Sequence, residues 1–210
     1  MVTQPSSIPR NKRVVSIDAK PAPISIDLER TGVLVIDMQN DFGSKGGMFD
    51  KAGIDLSPIL QAVSPTARVL SAARNAGLPV IYIKMGFHAD LSDAGPPYAP
   101  NRVKHDPLGV RTEVQAPDGS KSHVLVRDTW NTDIIPELVP EPNDDVLYKT
   151  RYSGFYNTEL DAVLDRKGIE YLVVTGCTTS VCVESTIRDA MFRDFSCLLL
   201  EDCTGEPIGF

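Results

Sequence analysis

The sequence predicts an α/β protein, a three-layer α/β/α sandwich around a parallel sheet, and three observations predict it. Short apolar runs alternate with longer stretches of helical periodicity. Those runs are apolar almost throughout, as strands buried on both faces are, instead of alternating with polar residues. Glycine also follows two of the helical stretches, where a left-handed residue closes a helix. A chain of 210 residues suffices for one domain with one substantial core.

Residues 1–28 are polar and broken by proline, and read as an arm that frays or drapes over a neighbour. The main domain occupies 29–210. Its first strand is "VLVID" (33–37), followed by a helix over 57–76 that Gly77 closes. The second strand is "PVIYIK" (79–84). A long Gly- and Pro-rich stretch, 85–144, comes next and reads as a lid over a site, because an insertion after a strand end commonly shapes one. Inside it "HVLVRDT" reads as a short extra strand and "DIIPELV" as a helical turn. The third strand is "DVLYK" (145–149), and the helix after it spans 157–167 and closes at Gly168. A fourth strand "YLVVTG" (171–176), a helix over 180–194 and a fifth strand "CLLLED" (197–202) complete the pattern. The sequence stops just after that strand with no helix to cover it, so a truncated C-terminus is expected.

Composition excludes several classes. A formal net charge of -7 argues against broad binding to nucleic acid or anionic membranes, which do not attract an acidic surface. No apolar run approaches a membrane span and no signal-peptide core opens the chain, so a cytoplasmic protein is expected. Four cysteines (177, 182, 197, 203) fall in the last fifth of the chain, and with no export signal they are expected to be reduced. No Cys-x2-Cys pair occurs and the histidines at 88, 105 and 123 lack ligand spacing, so no metal and no cofactor is expected.

Ligands of open α/β sheets bind beyond the carboxyl ends of the strands. Asp37 stands after the first strand, Lys149 after the third, and Cys182 in the turn after the fourth. If Ser180 caps the helix that follows, Cys182 lies in its first turn, where the dipole and unpaired N–H groups lower a thiol pKa. Val183, Ile187, Ala190 and Met191 then form the buried face, with Glu184 and Arg188 paired outside. Taken singly, each residue has a plainer reading: a buried cysteine, a capping aspartate and a solvated lysine. Together they make a nucleophile, a general base and a cation that holds both charges. Cys177, Cys197 and Cys203 read as packing.

These residues carry a resemblance. "VLVIDMQNDF", a lysine ending a middle strand, and "GCTTSVCVESTIRDA" resemble the isochorismatase-like cysteine hydrolases over roughly residues 25 to 205. Within that superfamily, the stretch from "KTRYSGFYNTEL" to "RDAMF" is similar to the ureidoacrylate amidohydrolases of pyrimidine degradation; "GFHADL" and "CLLLEDC" resemble the biuret hydrolases. The resemblance implies strand order 3-2-1-4-5-6, with the sixth strand absent from this chain. It also implies an Asp37–Lys149–Cys182 triad, a cis peptide between Cys177 and Thr178, and an oxyanion hole from the backbone N–H groups of Thr178 and Cys182. The nicotinamidase branch carries an Asp-x-His metal motif, whereas here His88 precedes Asp90, which again implies no catalytic metal.

The function expected is an amidohydrolase cleaving a C–N bond of a small linear ureido or amide substrate through a thioester, releasing ammonia. Arg151 is the candidate for a substrate carboxylate, Phe42 and Tyr156 for pocket walls, and His88 for the lid side; a surface ion pair, core packing and a plain loop histidine are their structural alternatives. A biuret or N-carbamoyl hydrolase, a non-catalytic small-molecule binder and a Cys177–Cys182 redox pair are the competing readings. Relatives imply a homo-oligomer, a dimer or tetramer.

Overall fold

The computed structural model describes residues 13–208. The first twelve residues of the expected arm lie outside that range. The remainder of the arm contains β1 (Val14–Ile17) and β2 (Ile24–Asp27), an antiparallel hairpin.

The central sheet contains β3 (Thr31–Ile36), β4 (Val80–Met85), β7 (Asp145–Lys149), β8 (Tyr171–Cys177) and β9 (Ser196–Gly205). Its order is β7-β4-β3-β8-β9 and every pairing is parallel. Counted along the chain, this is third-second-first-fourth-fifth, the expected order as far as five strands reach; a sixth is not among the described residues. The order reverses between β3 and β8, so the switch point lies beyond Ile36 and Cys177.

Alternation along β3 shows why its run is apolar on both sides. Val33 and Val35 face one core while Leu34 and Ile36 face the other, and all four are at most 1% exposed. The first core is closed by α3 (Ser57–Asn75) through Ile59, Val63, Leu70 and Ala73. α5 (Leu160–Lys167) and α6 (Glu184–Met191) close the second through Leu160, Val163, Leu164 and Ala190. Full burial of each of these valine, leucine and isoleucine side chains contributes about 1.5–3 kcal/mol.

Two helices and one buried face differ from expectation. α5 begins three residues late because Thr158 Oγ1 accepts the Leu160 N–H at 3.2 Å and donates to Gly154 O, with Asn157 at φ 52. The helix expected at 180–194 is one turn of π-helix (Thr179–Val183) followed by α6. Met191, expected on its buried face, is 62% exposed; Thr186 is buried instead. The Glu184–Arg188 pair does form, at 2.8 Å on the surface.

Residues 86–144 contain α4 (Pro100–His105) and a hairpin of β5 (Glu113–Gln115) with β6 (Lys121–His123). The strand expected at "HVLVRDT" keeps only His123. Leu125 and Asp128 have φ of 51 and 58, and the Leu125 N–H is taken at 2.7 Å by Asp41 of α1 (Asn40–Gly43). "DIIPELV" supplies a 3-10 turn at Pro136–Leu138. No helix among the described residues is long and apolar enough to cross a membrane.

Gly176 sits at φ +127 beside β3, and a Cβ there would lie 2.1 Å from Ile36 O. Backbone must move to admit it, one residue from Asp37. Gly176→Ala is therefore expected to cost about 3 kcal/mol or more, from the strained φ together with overpacking. Urea unfolding checks this, and a midpoint equal to the parent's would refute it.

Candidate active site

β3 delivers Asp37 past its last residue, in the left-handed region at φ 54. That conformation costs a non-glycine residue about 1–3 kcal/mol, and aspartate is among the side chains that tolerate it. Three contacts hold it there. The Asp37 N–H donates to Ile83 O at 2.8 Å, and its carbonyl accepts from Gln39 N at 2.8 Å and from Cys177 Sγ at 3.2 Å. Cys177 thus does more than pack, because it pins the Asp37 peptide. Buried Gln39 bridges onward, exchanging two hydrogen bonds with the Met85 backbone at the end of β4.

Lys149 ends β7 with a fully buried side chain. Its Nζ lies 2.9 Å from Asp37 Oδ2 and donates to Cys182 Sγ at 3.2 Å, Arg151 O at 3.1 Å and Met85 Sδ at 3.7 Å, which occupies all three ammonium hydrogens. The Asp37 contact is an ion pair by distance without hydrogen-bond alignment, so both carboxylate oxygens remain free of aligned donors. Cys182 stands inside the π-turn. Its chain entry is a cis peptide between Cys177 and Thr178. The Val181 and Val183 N–H groups both reach Thr178 O at 3.2 Å, and Thr186 Oγ1 holds the Cys182 carbonyl at 2.7 Å. Thr178 occupies the capping position expected of Ser180, whose own N–H is taken at 2.8 Å by Glu206.

Electrostatics correct the expected resting thiolate. Burial, with the Asp37 charge next, pushes the Cys182 thiol up, and Lys149 only partly opposes this. Burial also raises Asp37 above the usual 3.8 against the pull of Lys149. Burial alone would lower Lys149, yet Asp37 and Cys182 outweigh it and hold the ammonium charged. One buried cation therefore faces two acids that share a single negative charge. The resting pair is an Asp37 carboxylate and a Cys182 thiol, and moving the proton between them leaves the site's net charge unchanged.

A cavity of about 320 Å³ opens on this group, and Asp37, Cys182, Thr178 and Phe42 are among its lining residues. Of the other sequence candidates, none lines it. Arg151 turns its Nη1 onto Thr150 O at 2.7 Å, and its guanidinium lies over the Tyr156 ring at 5.4 Å. Tyr156 is 53% exposed, and His88 joins Asp93 and Arg127 on the surface. The cavity is lined instead by Lys104, His105 and Leu108 of the 100–108 segment, and by Tyr152. "KHDPL" was the available signal: a polar pair followed by an apolar residue just past a proline-initiated turn.

Buried Asp41 fastens the long insertion to the sheet. Its carboxylate accepts from Met48 N at 2.9 Å, Leu125 N at 2.7 Å and the Asn131 side chain. Burial raises its carboxyl to about 6 even so.

Comparison with known proteins bears on the family and the fold. The Isochorismatase domain model matches residues 31–207. The chain is 41% identical over 196 residues to the ureidoacrylate amidohydrolase RutB of Caulobacter segnis, which covers 93% of this chain and 81% of that protein. It is 41% identical to the protein of the same name from Rhizobium rhizogenes, over 90% of this chain and 76% of that one. A cysteine hydrolase from Pseudomonas syringae superposes with a TM-score of 0.71 at 29% identity, over 88% and 78% of the two chains. N-carbamoylsarcosine amidase from Thermoplasma acidophilum does so with 0.64 at 26%, over 86% of each.

Proposed function

Because the chain belongs to the isochorismatase domain family, we propose that it is a cysteine-dependent amidohydrolase of small linear ureido or amide compounds, ureidoacrylate-like in class. One observation carries this reading: Lys149 Nζ stands 2.9 Å from a carboxylate and 3.2 Å from a thiol at the floor of a cavity. The relatives' names supply the substrate class, and the resemblance to the ureidoacrylate amidohydrolases implies a place in pyrimidine degradation.

In this mechanism Asp37 takes the Sγ proton of Cys182, and the thiolate attacks the substrate carbonyl carbon. Backbone N–H groups of Thr178 and Cys182 receive the oxyanion. Collapse expels the amine, which takes the proton back from Asp37 and leaves a thioester or thiocarbamate. Asp37 then deprotonates water, which attacks that carbonyl, and the departing sulfur is reprotonated. Ammonia appears as the leaving group or from the carbamate that is left. Lys149 stays charged throughout. Lys104, exposed at the cavity, is the cation available to a substrate carboxylate. We also carry over a homo-oligomeric state, a dimer or tetramer, which sedimentation velocity measures.

The test is ammonia release from ureidoacrylate, biuret, N-carbamoyl amino acids and nicotinamide. Turnover of a ureido compound is expected, with nicotinamide refused. Silence across the panel from folded protein refutes the proposal and favours a binder without turnover. The pH profile is a second check. Asp37 must be deprotonated to act as base, and burial places its ionisation above 3.8. The rate should therefore rise with pH through one ionisation on the neutral side of that value, and a profile flat down to about pH 4 would remove Asp37 as the base.

A further inference from the structure

Besides the Asp37 carboxylate, two polar atoms of the cavity lining are buried without a protein partner, His105 Nδ1 and the Tyr152 hydroxyl. Orphaned buried polar atoms are costly, and most are satisfied in native proteins. The two rings meet edge to face with centroids 5.8 Å apart, so these groups are neighbours on one wall. That wall is held in place. Asn101 Nδ2 ties α4 to Ala94 O at 3.2 Å and to Thr150 O at 3.4 Å, and Arg102 binds Asp106 at 2.8 Å. Tyr152 follows Lys149 by three residues on the stretch that leaves the sheet.

We infer that His105 and Tyr152 are a specificity pair: His105 Nδ1 accepts the bridging N–H of a ureido group, and the Tyr152 hydroxyl donates to an oxygen of the same substrate. The inference rests on the amidohydrolase reading above and narrows its substrate class. Burial and the nearby Lys149 charge lower the His105 imidazole to about 4, so the ring is neutral at working pH. In the tautomer with its proton on Nε2, Nδ1 is an acceptor that no protein group fills, on a residue that lines the cavity. Ureido, N-carbamoyl and biuret-like compounds carry an N–H next to the carbonyl that can fill it. A plain carboxamide carries carbon there and leaves the acceptor unpaired. Sites built around a hydrogen bond reject analogues that lack it more strongly than apolar pockets do.

The test compares two isosteric pairs, biuret against malonamide and N-carbamoylglycine against succinamate, in which CH2 replaces the bridging N–H. The kcat/KM ratio within each pair, parent against variant, cancels intrinsic reactivity. His105→Phe should reduce the preference for the ureido member by about 10- to 100-fold, and His105→Asn, which restores an acceptor near Nδ1, should recover part of it. In a Cys182→Ala background, His105→Phe should weaken binding of the ureido compound by a similar factor, read by calorimetry. A ratio unchanged in both variants overturns the inference and leaves the amidohydrolase standing. So does a parent that hydrolyses the plain amides but no ureido compound. A parent that neither hydrolyses nor, as Cys182→Ala, binds any ureido compound overturns both.

Discussion

Cys182→Ala should abolish ammonia release, lowering kcat/KM by at least about 10⁴-fold, since groups that act as one catalytic unit lose nearly everything when the nucleophile goes. The fold should survive. Cys182 is buried, but its loss removes one sulfur and leaves the ion pair between Lys149 and Asp37 at 2.9 Å intact. The Thr186 bond to the Cys182 carbonyl is a backbone contact, so the π-turn keeps its anchor. Far-ultraviolet dichroism and urea unfolding should match the parent within about 1–2 kcal/mol, the range for deleting a small buried group. Residual turnover above one hundredth of the parent's would remove Cys182 as nucleophile. Alkylation of the parent provides an independent check and should silence it to the same degree.

Breaking the buried ion pair should have the largest effect on stability. Lys149→Met leaves the Asp37 carboxylate fully buried with no cation, and Asp37→Asn leaves the ammonium facing an amide. Each is expected to cost about 3–5 kcal/mol, because the surviving charge is uncompensated. Asn suits position 37, where φ is 54, so the second variant adds little backbone strain. The double variant Asp37→Asn/Lys149→Met should cost about 2 kcal/mol or more less than the sum of the singles, since no lone charge remains. None of the three should turn over substrate. Additive costs in urea unfolding would show that the two charges do not depend on each other for their burial.

Much of this was legible in the sequence. The five runs are strands because parallel strands covered on both faces are apolar throughout, and Val33–Ile36 illustrates it by filling two cores at once. Asp37, Lys149 and Cys182 could be placed together because strand ends at a switch point converge. Other features depended on contacts no local pattern encodes. The turn before α6 is π because Thr178 O accepts from two N–H groups, which a capping rule for Ser180 does not anticipate. Thiol acidity is not legible from the helix end, whose effect is local, whereas burial and Asp37 act on the whole site. Charge and position in the chain point to Arg151 and His88; tertiary packing turns both away from the cavity and brings in His105 and Tyr152, 47 residues apart.

The reactive floor and the wall around it come from different parts of the molecule. Asp37, Lys149 and Cys182 are set at the ends of β3, β7 and β8 of one sheet, with β4 between the first two, and shifting any of these strands disturbs the core. α4 hangs outside that sheet, suspended from Ala94 O and Thr150 O by one asparagine side chain. Its five residues other than Asn101 can therefore be rewritten without touching that anchor or a strand. Under the proposed function such a chain is modular, with the reaction held by a fixed unit and the choice of substrate carried on an exchangeable part. Its natural variation, and any redesign, can accumulate in α4 while the chemistry beneath stays the same.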